Sequence, residues 1–170
     1  VADANAALFN DCVPVFADID PETWNIDPAS IKERITEKTR AIIAVDYAGL
    51  PCDMHALRAI AEEHDLLLLS DSCHALGATH EGRSVGSIAD MTCFSFHPVK
   101  HITTAGEGGA ITTNDPELDR KLRSLRTHGM DRDSHAREDG KPTYRYDITS
   151  LSRNFRITDV QCAVGTSQLK

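Results

Sequence analysis

No apolar run in this chain approaches the length of a membrane span. The longest, Leu66 to Leu69, has the length of a short buried strand. No CxxC pair occurs, and none of the five cysteines (Cys12, Cys52, Cys73, Cys93 and Cys162) stands at zinc-ligand spacing from another. Positive charge is also scarce, with 18 Lys and Arg against 26 Asp and Glu and a net charge of −8. That balance argues against broad nucleic-acid binding and against a polybasic membrane patch. It leaves room for an anionic ligand held locally by helix N-termini and hydroxyls. There is no Walker loop, internal repeat or low-complexity tract. Nor does any glycine-rich turn lead from a strand into a helix, which a Rossmann-type oxidoreductase requires.

The chain has 170 residues, 41% of them hydrophobic and 26% charged. These values suit one domain with a sizeable core. An odd number of unpatterned cysteines reads as reduced thiols in or near the core of a cytoplasmic protein. The chain starts at Val1 inside a helical pattern (Ala2 to Leu8) and stops at Lys170 inside another (Asp159 to Lys170). Neither end shows a cap, a glycine stop or a polar tail, so a segment of a longer protein is expected.

Strand and helix signals alternate along the chain. Cys12 to Ile19 is short and apolar and reads as a strand. Asp27-Pro28 places an N-cap and an N1 proline before a helix to about Ile35. Thr39 to Tyr47 reads as a buried strand. Asp53 caps a helix through His64, with Met54, Leu57, Ile60 and Ala61 at helical spacing. Leu66 to Ser70, Met91 to Phe96 and Gly109 to Thr113 are further strands. Asp115-Pro116 opens a helix to about Arg126, with Leu118, Leu122 and Leu125 on one face. From Gly129 to Ser150 the pattern fails, and the charge, Gly and Pro there predict an exposed, mobile loop. Strands separated by helices of this length mean βαβ units, an α/β fold and a mainly parallel sheet with helices on both faces.

Ligands in such sheets bind beyond the carboxyl ends of the strands. Asp46, Asp71 and Lys100 sit at or just past such ends. Lys100 follows Cys93-Phe-Ser-Phe-His-Pro-Val and precedes a hydroxyl- and glycine-rich turn. Asp71 closes Leu66-Leu-Leu-Leu-Ser. An amine and a carboxylate on one sheet edge are what pyridoxal phosphate (PLP) chemistry needs: a lysine for the Schiff base and an acid for the pyridine nitrogen. A desolvated lysine beside another cation becomes a competent nucleophile. Asp71 could instead cap the helix-like Ser72 to Leu76 segment. His74, one helical turn on, could stack on a flat ring, hydrogen-bond its phenolic oxygen or make an ordinary backbone bond. Ser95 and the Thr103-Thr104 pair are candidate phosphate donors. The Gly106 to Gly109 run reads as a tight turn into the Ala110 to Thr113 strand. His97 and His101, on either side of Lys100, lack zinc-ligand spacing, and no metal is expected.

Four motifs in order resemble one family: Asp71-Ser-Cys-His74-Ala-Leu-Gly-Ala, Ser95-Phe-His-Pro-Val-Lys100, Gly106-Glu-Gly-Gly109-Ala and Asn154-Phe-Arg-Ile-Thr-Asp159-Val-Gln. They are similar to those of the DegT/DnrJ/EryC1/StrS sugar aminotransferases, over nearly the whole chain. The Ser-Phe-His-Pro-Val-Lys form looks most like the branch that makes UDP-4-amino-4,6-dideoxy-N-acetyl-β-L-altrosamine. The resemblance implies a PLP-dependent transferase of fold type I, a homodimer with active sites at the interface, glutamate as amino donor and a nucleotide-linked ketosugar as acceptor. It implies Lys100 as the Schiff-base lysine and proton carrier, Asp71 on the pyridine nitrogen and His74 near O3′. It further implies Ser95 on the phosphate and Asn154 on the phosphate of the partner subunit's cofactor. Family members are about twice as long. The chain is therefore expected to be the central part of the PLP-binding large domain, without the N-terminal segment and the C-terminal small domain, and to bind PLP poorly by itself. The other readings are a 3-ketosugar aminotransferase and a non-catalytic nucleotide-sugar-binding domain on the same fold.

Overall fold

Three apolar runs that lie far apart in sequence become neighbours in one sheet. The computed structural model describes residues 1–131 and 146–170. The first helix is α1 (Ala2–Leu8), followed by α2 (Pro28–Arg34), strand β1 (Ala41–Val45), a 3-10 turn (Tyr47–Gly49) and α3 (Met54–Glu63). Next come β2 (Leu67–Asp71), the short pair β3 (Thr79–His80) and β4 (Arg83–Ser84), β5 (Met91–Ser95) and β6 (Gly109–Thr112). The chain continues with α4 (Pro116–Arg126), β7 (Met130–Asp131), β8 (Asp147–Ile148) and α5 (Asp159–Gln168).

The main sheet has the order β1-β2-β5-β6. β1, β2 and β5 run parallel, as the alternation with helices predicts. β6 is antiparallel to β5, which makes the sheet mixed but mainly parallel. The glycine turn explains this, because it returns the chain without a crossover helix. A Cβ on Gly109 would lie 2.7 Å from the Phe94 carbonyl oxygen, so a side chain there would block the return.

Side chains alternate across each strand. Ile42 and Ala44 of β1 and Leu68 of β2 meet Ile31 of α2 and Met54, Leu57 and Ile60 of α3 in the core. The caps read from sequence are present. Asp27 accepts from the Ala29 N–H, Asp53 from Ala56, and Asp115 from Glu117 and Leu118. Asp90 joins three parts of this layer, accepting from the Leu68 N–H at 2.7 Å and from Arg58 of α3 at 2.9 Å. On the other face α1 carries Asp3 up to Asp71.

Several expectations need correction. Cys12 to Ile19 is not a strand. It makes only an isolated bridge, Ile19 to Ile26, and Val13, Val15 and Phe16 stay exposed. Apolar alternation makes a strand only where a ladder partner lies alongside, and the described residues provide none. Ser72 to Leu76 forms turns, not a helix. Met130–Asp131 and Asp147–Ile148 pair antiparallel inside the segment expected to be a loop, while residues 132–145 of that segment lie outside the described residues. The apolar face of α4 contains no buried residue. All five cysteines are free, but Cys12, Cys93 and Cys162 are exposed. Cys93 projects from the sheet face opposite the core, and the other two lie outside the core layer altogether.

Candidate active site

Leu68 and Ser70 are buried on the α3 side of β2, so Leu69 and Asp71 point to the opposite face. At the strand end the Asp71 Oδ1 accepts from the Cys73 N–H at 3.0 Å, which tightens the turn that leads to His74. The Cys73 thiol is pushed up to about 12, by burial first and then by its hydrogen bond to Asp71 and that residue's charge. The Lys100 ammonium pulls in the other direction. A carboxylate, a thiol and an ammonium thus share one neighbourhood.

Lys100 arrives there through successive turns after β5. Ser95 Oγ accepts from the His97 N–H at 3.3 Å, His97 Nδ1 from the Val99 N–H at 3.2 Å, and the His97 carbonyl from the Lys100 N–H at 2.9 Å. An open cleft of about 400 Å³ results, lined by Ala48, His74, Val99, Lys100 and His101. Gly49 permits its third wall. With φ at +90°, its missing Cβ would stand 2.8 Å from the His74 carbonyl oxygen, so only glycine lets the 3-10 turn approach.

The sequence-selected residues separate into groups. Lys100 and His74 line one cleft, with Asp71 close to both through Cys73. Ser95 ends β5 just before the Lys100 turns but does not line the cleft. Asp46 is withdrawn from it. Its carboxylate is 1% exposed and accepts from Ser72 Oγ at 2.6 Å, Ser70 Oγ at 3.2 Å and the Cys52 N–H at 2.9 Å. It binds the ends of β1 and β2 together rather than facing a ligand. Thr104 is buried, whereas Thr103 Oγ1 is buried with no hydrogen-bond partner among the described residues. Asn154 is exposed, bridges to Thr127 and lies outside the cleft of its own chain.

Two features gave no readable sequence signal. Asp3, from the far end of the chain, has its carboxyl raised by burial and then by the charge of Asp71. α5 anchors the turn that follows Lys100, since Gln161 donates to the Glu107 carbonyl at 2.8 Å and Gln168 accepts from the Thr103 N–H at 2.7 Å.

An amine and an imidazole in one cleft, with a carboxylate close enough to act on the same thiol as the amine, suit an aldehyde-bearing pyridine ring. Among the described residues no Lys or Arg besides Lys100 lines the cleft, so these residues offer a phosphate little charge. The sequence profile of the DegT/DnrJ/EryC1/StrS aminotransferase family matches residues 1–170.

The chain belongs to the DegT/DnrJ/EryC1/StrS aminotransferase family. It is 42% identical over 170 residues to the UDP-4-amino-4,6-dideoxy-N-acetyl-β-L-altrosamine transaminase of Helicobacter pylori, covering 100% of this chain and 43% of that protein. It is 41% identical over 170 residues to the GDP-perosamine synthase of Caulobacter vibrioides, covering 100% and 43%. Among solved structures, Helicobacter pylori PseC, an aminotransferase involved in the biosynthesis of pseudoaminic acid, superposes with a TM-score of 0.89 at 40% identity, covering 99% of this chain and 43% of that one. The PLP form of a putative sugar aminotransferase, Spr1654 from Streptococcus pneumoniae, gives 0.85 at 33% identity, covering 99% and 45%. The chain therefore spans less than half the length of these DegT-family proteins. Among the described residues no helix is long and apolar enough to cross a membrane.

Proposed function

We propose that this chain is the lysine-bearing, central part of the large domain of a PLP-dependent aminotransferase. In this reading the enzyme moves an amino group from glutamate to a nucleotide-linked 4-ketosugar, in the cytoplasm, for surface-glycan or amino-sugar synthesis. The observation that carries the reading is Lys100 in one cleft with His74, with Asp71 close enough that it and Lys100 both act, in opposite directions, on the Cys73 thiol. The five unpaired cysteines support the compartment.

When bound, PLP supplies a protonated pyridine ring that withdraws electrons from the carbon bearing the amino group. Lys100 would hold the cofactor through Nζ and, when free, would carry a proton at that atom. Asp71 would hold the ring nitrogen and keep it protonated. His74 would lie against the ring or its phenolic oxygen, and Ser95 would give its hydroxyl to the phosphate. Asn154 serves the phosphate of a second copy's cofactor. Its exposure and its place outside the lining of its own chain's cleft support a homodimer with shared sites.

The test uses the full-length protein. Addition of PLP is expected to give visible absorbance, and borohydride reduction to fix a pyridoxyl group on the peptide that carries Lys100. Lys100→Ala removes both. Glutamate and a panel of UDP- and dTDP-linked 4-ketosugars and 3-ketosugars, with products read by mass, then name the acceptor. A protein that stays colourless with PLP would sink the proposal.

A further inference from the structure

A second concentration of chemistry lies away from the Lys100 cleft, where the β3–β4 hairpin meets the start of α3. His55 occupies the first turn of α3, His80 ends β3, and Glu81 opens the hairpin turn. None of them lines the Lys100 cleft. One potential ligand atom from each lies within 4.8 Å of the other two. His55 Nε2 and Glu81 Oε2 are 2.9 Å apart, and the two imidazoles stand 5.4 Å from centroid to centroid.

A separate observation asks for a partner. His80 Nε2 is buried and has no hydrogen-bond partner among the described residues. A buried ring nitrogen left this way forfeits its hydration with nothing in return. The turn adds a second cost. Glu81 and Gly82 both have positive φ, +48° and +77°, the geometry of a type I′ hairpin turn. Asn, Asp or Gly suits the first of these positions, and a glutamate there is strained. Its carboxylate nevertheless meets His55.

We propose that His55, His80 and Glu81 form a site for a divalent transition-metal ion of the zinc class. Two imidazoles and a carboxylate, with water in the fourth position, make a ligand set found in open zinc sites. Bonds of about 2.0–2.2 Å put tetrahedral ligand atoms roughly 3.3–3.6 Å apart. The 4.8 Å spread closes by rotation of His55 and Glu81, whose side chains are 53% and 68% exposed. Arg83, the backbone partner of His80 across the hairpin, sends its guanidinium to the Ser87 carbonyl at 2.8 Å. The metal would clamp the first turn of α3 to the hairpin and satisfy the orphaned nitrogen. The spacing of His55 from His80 hides this set from the sequence, where no metal was expected. The proposal is independent of the aminotransferase reading.

The full-length protein, stripped with chelator, is titrated with ZnCl2 by calorimetry and with CoCl2 by absorbance. The expected result is one equivalent of Zn2+ that raises the melting temperature. His55→Ala, His80→Ala and Glu81→Gln each weaken that binding by at least about tenfold. Co2+ gives visible bands without a thiolate charge-transfer band. If His80→Ala fails to fold, the two variants at exposed positions carry the comparison. No Zn2+ uptake would leave a plain His55–Glu81 ion pair and overturn the proposal. So would binding unchanged in the variants, or a thiolate band that disappears on alkylation of the cysteines.

Discussion

Cys73 reports how the residues around Lys100 act on one another. Its thiol is held at about 12 by burial and by Asp71, with Lys100 opposing. The Cys52 thiol reaches about 12 too, through burial first and then the charge of Asp46. Near pH 8, iodoacetamide is expected to label exposed Cys12 and Cys162 well before Cys52 or Cys73, which peptide mass mapping checks. The sign for stability follows from the raised folded-state value of Cys52. Its contribution is complete below its ordinary value of 9.0 and is lost as pH rises toward about 12. Alkaline unfolding followed by circular dichroism should therefore begin at higher pH in Cys52→Ala relative to that variant's own neutral-pH stability. Asp46 makes a different residue-scale prediction. With Ser70, Ser72 and the Cys52 N–H all donating to it, Asp46→Ala leaves buried groups unpaired. Urea denaturation should show a loss of about 2–3 kcal/mol. Asp71 and Lys100 were legible because each ends or follows a continuous apolar strand. Asp46 has the same signature, and the sequence does not say that its carboxylate turns into the layer rather than out of it.

At the scale of elements, what could be read depended on whether the signal was local. The N-caps Asp27, Asp53 and Asp115 are local hydrogen bonds, and each stands where the sequence places it. Cys12 to Ile19 has the apolar pattern of a strand, but strand identity needs a neighbour, which a pattern within one segment does not reveal. The support given by α5 to the turn after Lys100 was equally hidden, since Gln161 and Gln168 act on residues far away in the chain. Thr158 caps α5 through a capping box with Gln161. Thr158→Ala should cost about 1 kcal/mol and loosen the Glu107 anchor, and urea unfolding with hydrogen exchange at Gly106 to Gly109 would read both effects. Gly49→Ala should do more. Its Cβ meets the His74 carbonyl oxygen, and its φ of +90° suits no alanine. A loss of about 1–3 kcal/mol is expected, together with weaker PLP binding as His74 is displaced.

At the scale of the molecule, one face of the sheet is sealed by α2 and α3, and the other carries the candidate site. Beside Asp71 on that second face, Leu67, Cys93 and Ile111 remain exposed, and Val13, Val15 and Phe16 of the segment after α1 are uncovered too. The fold class was legible because the alternation of strand and helix is a property of the whole chain. The Gly106 to Gly109 turn was legible as well, whereas the close seat of Gly109 against the Phe94 carbonyl oxygen, which lets β6 pair antiparallel with β5, is a contact between strands that one segment does not reveal. Among the described residues Lys100 is the one Lys or Arg that lines the cleft, which is open. Residues 1–170 alone are therefore expected to bind PLP at least about tenfold more weakly than the full-length protein, as equilibrium titration of the cofactor absorbance would show. The central claim is that Lys100 is the cofactor lysine. Borohydride reduction of the full-length protein with PLP, followed by peptide mass mapping, tests it most directly. The account predicts a pyridoxyl group on Lys100, absent in Lys100→Ala. A stoichiometric adduct on another lysine, or one that survives the substitution, would contradict it.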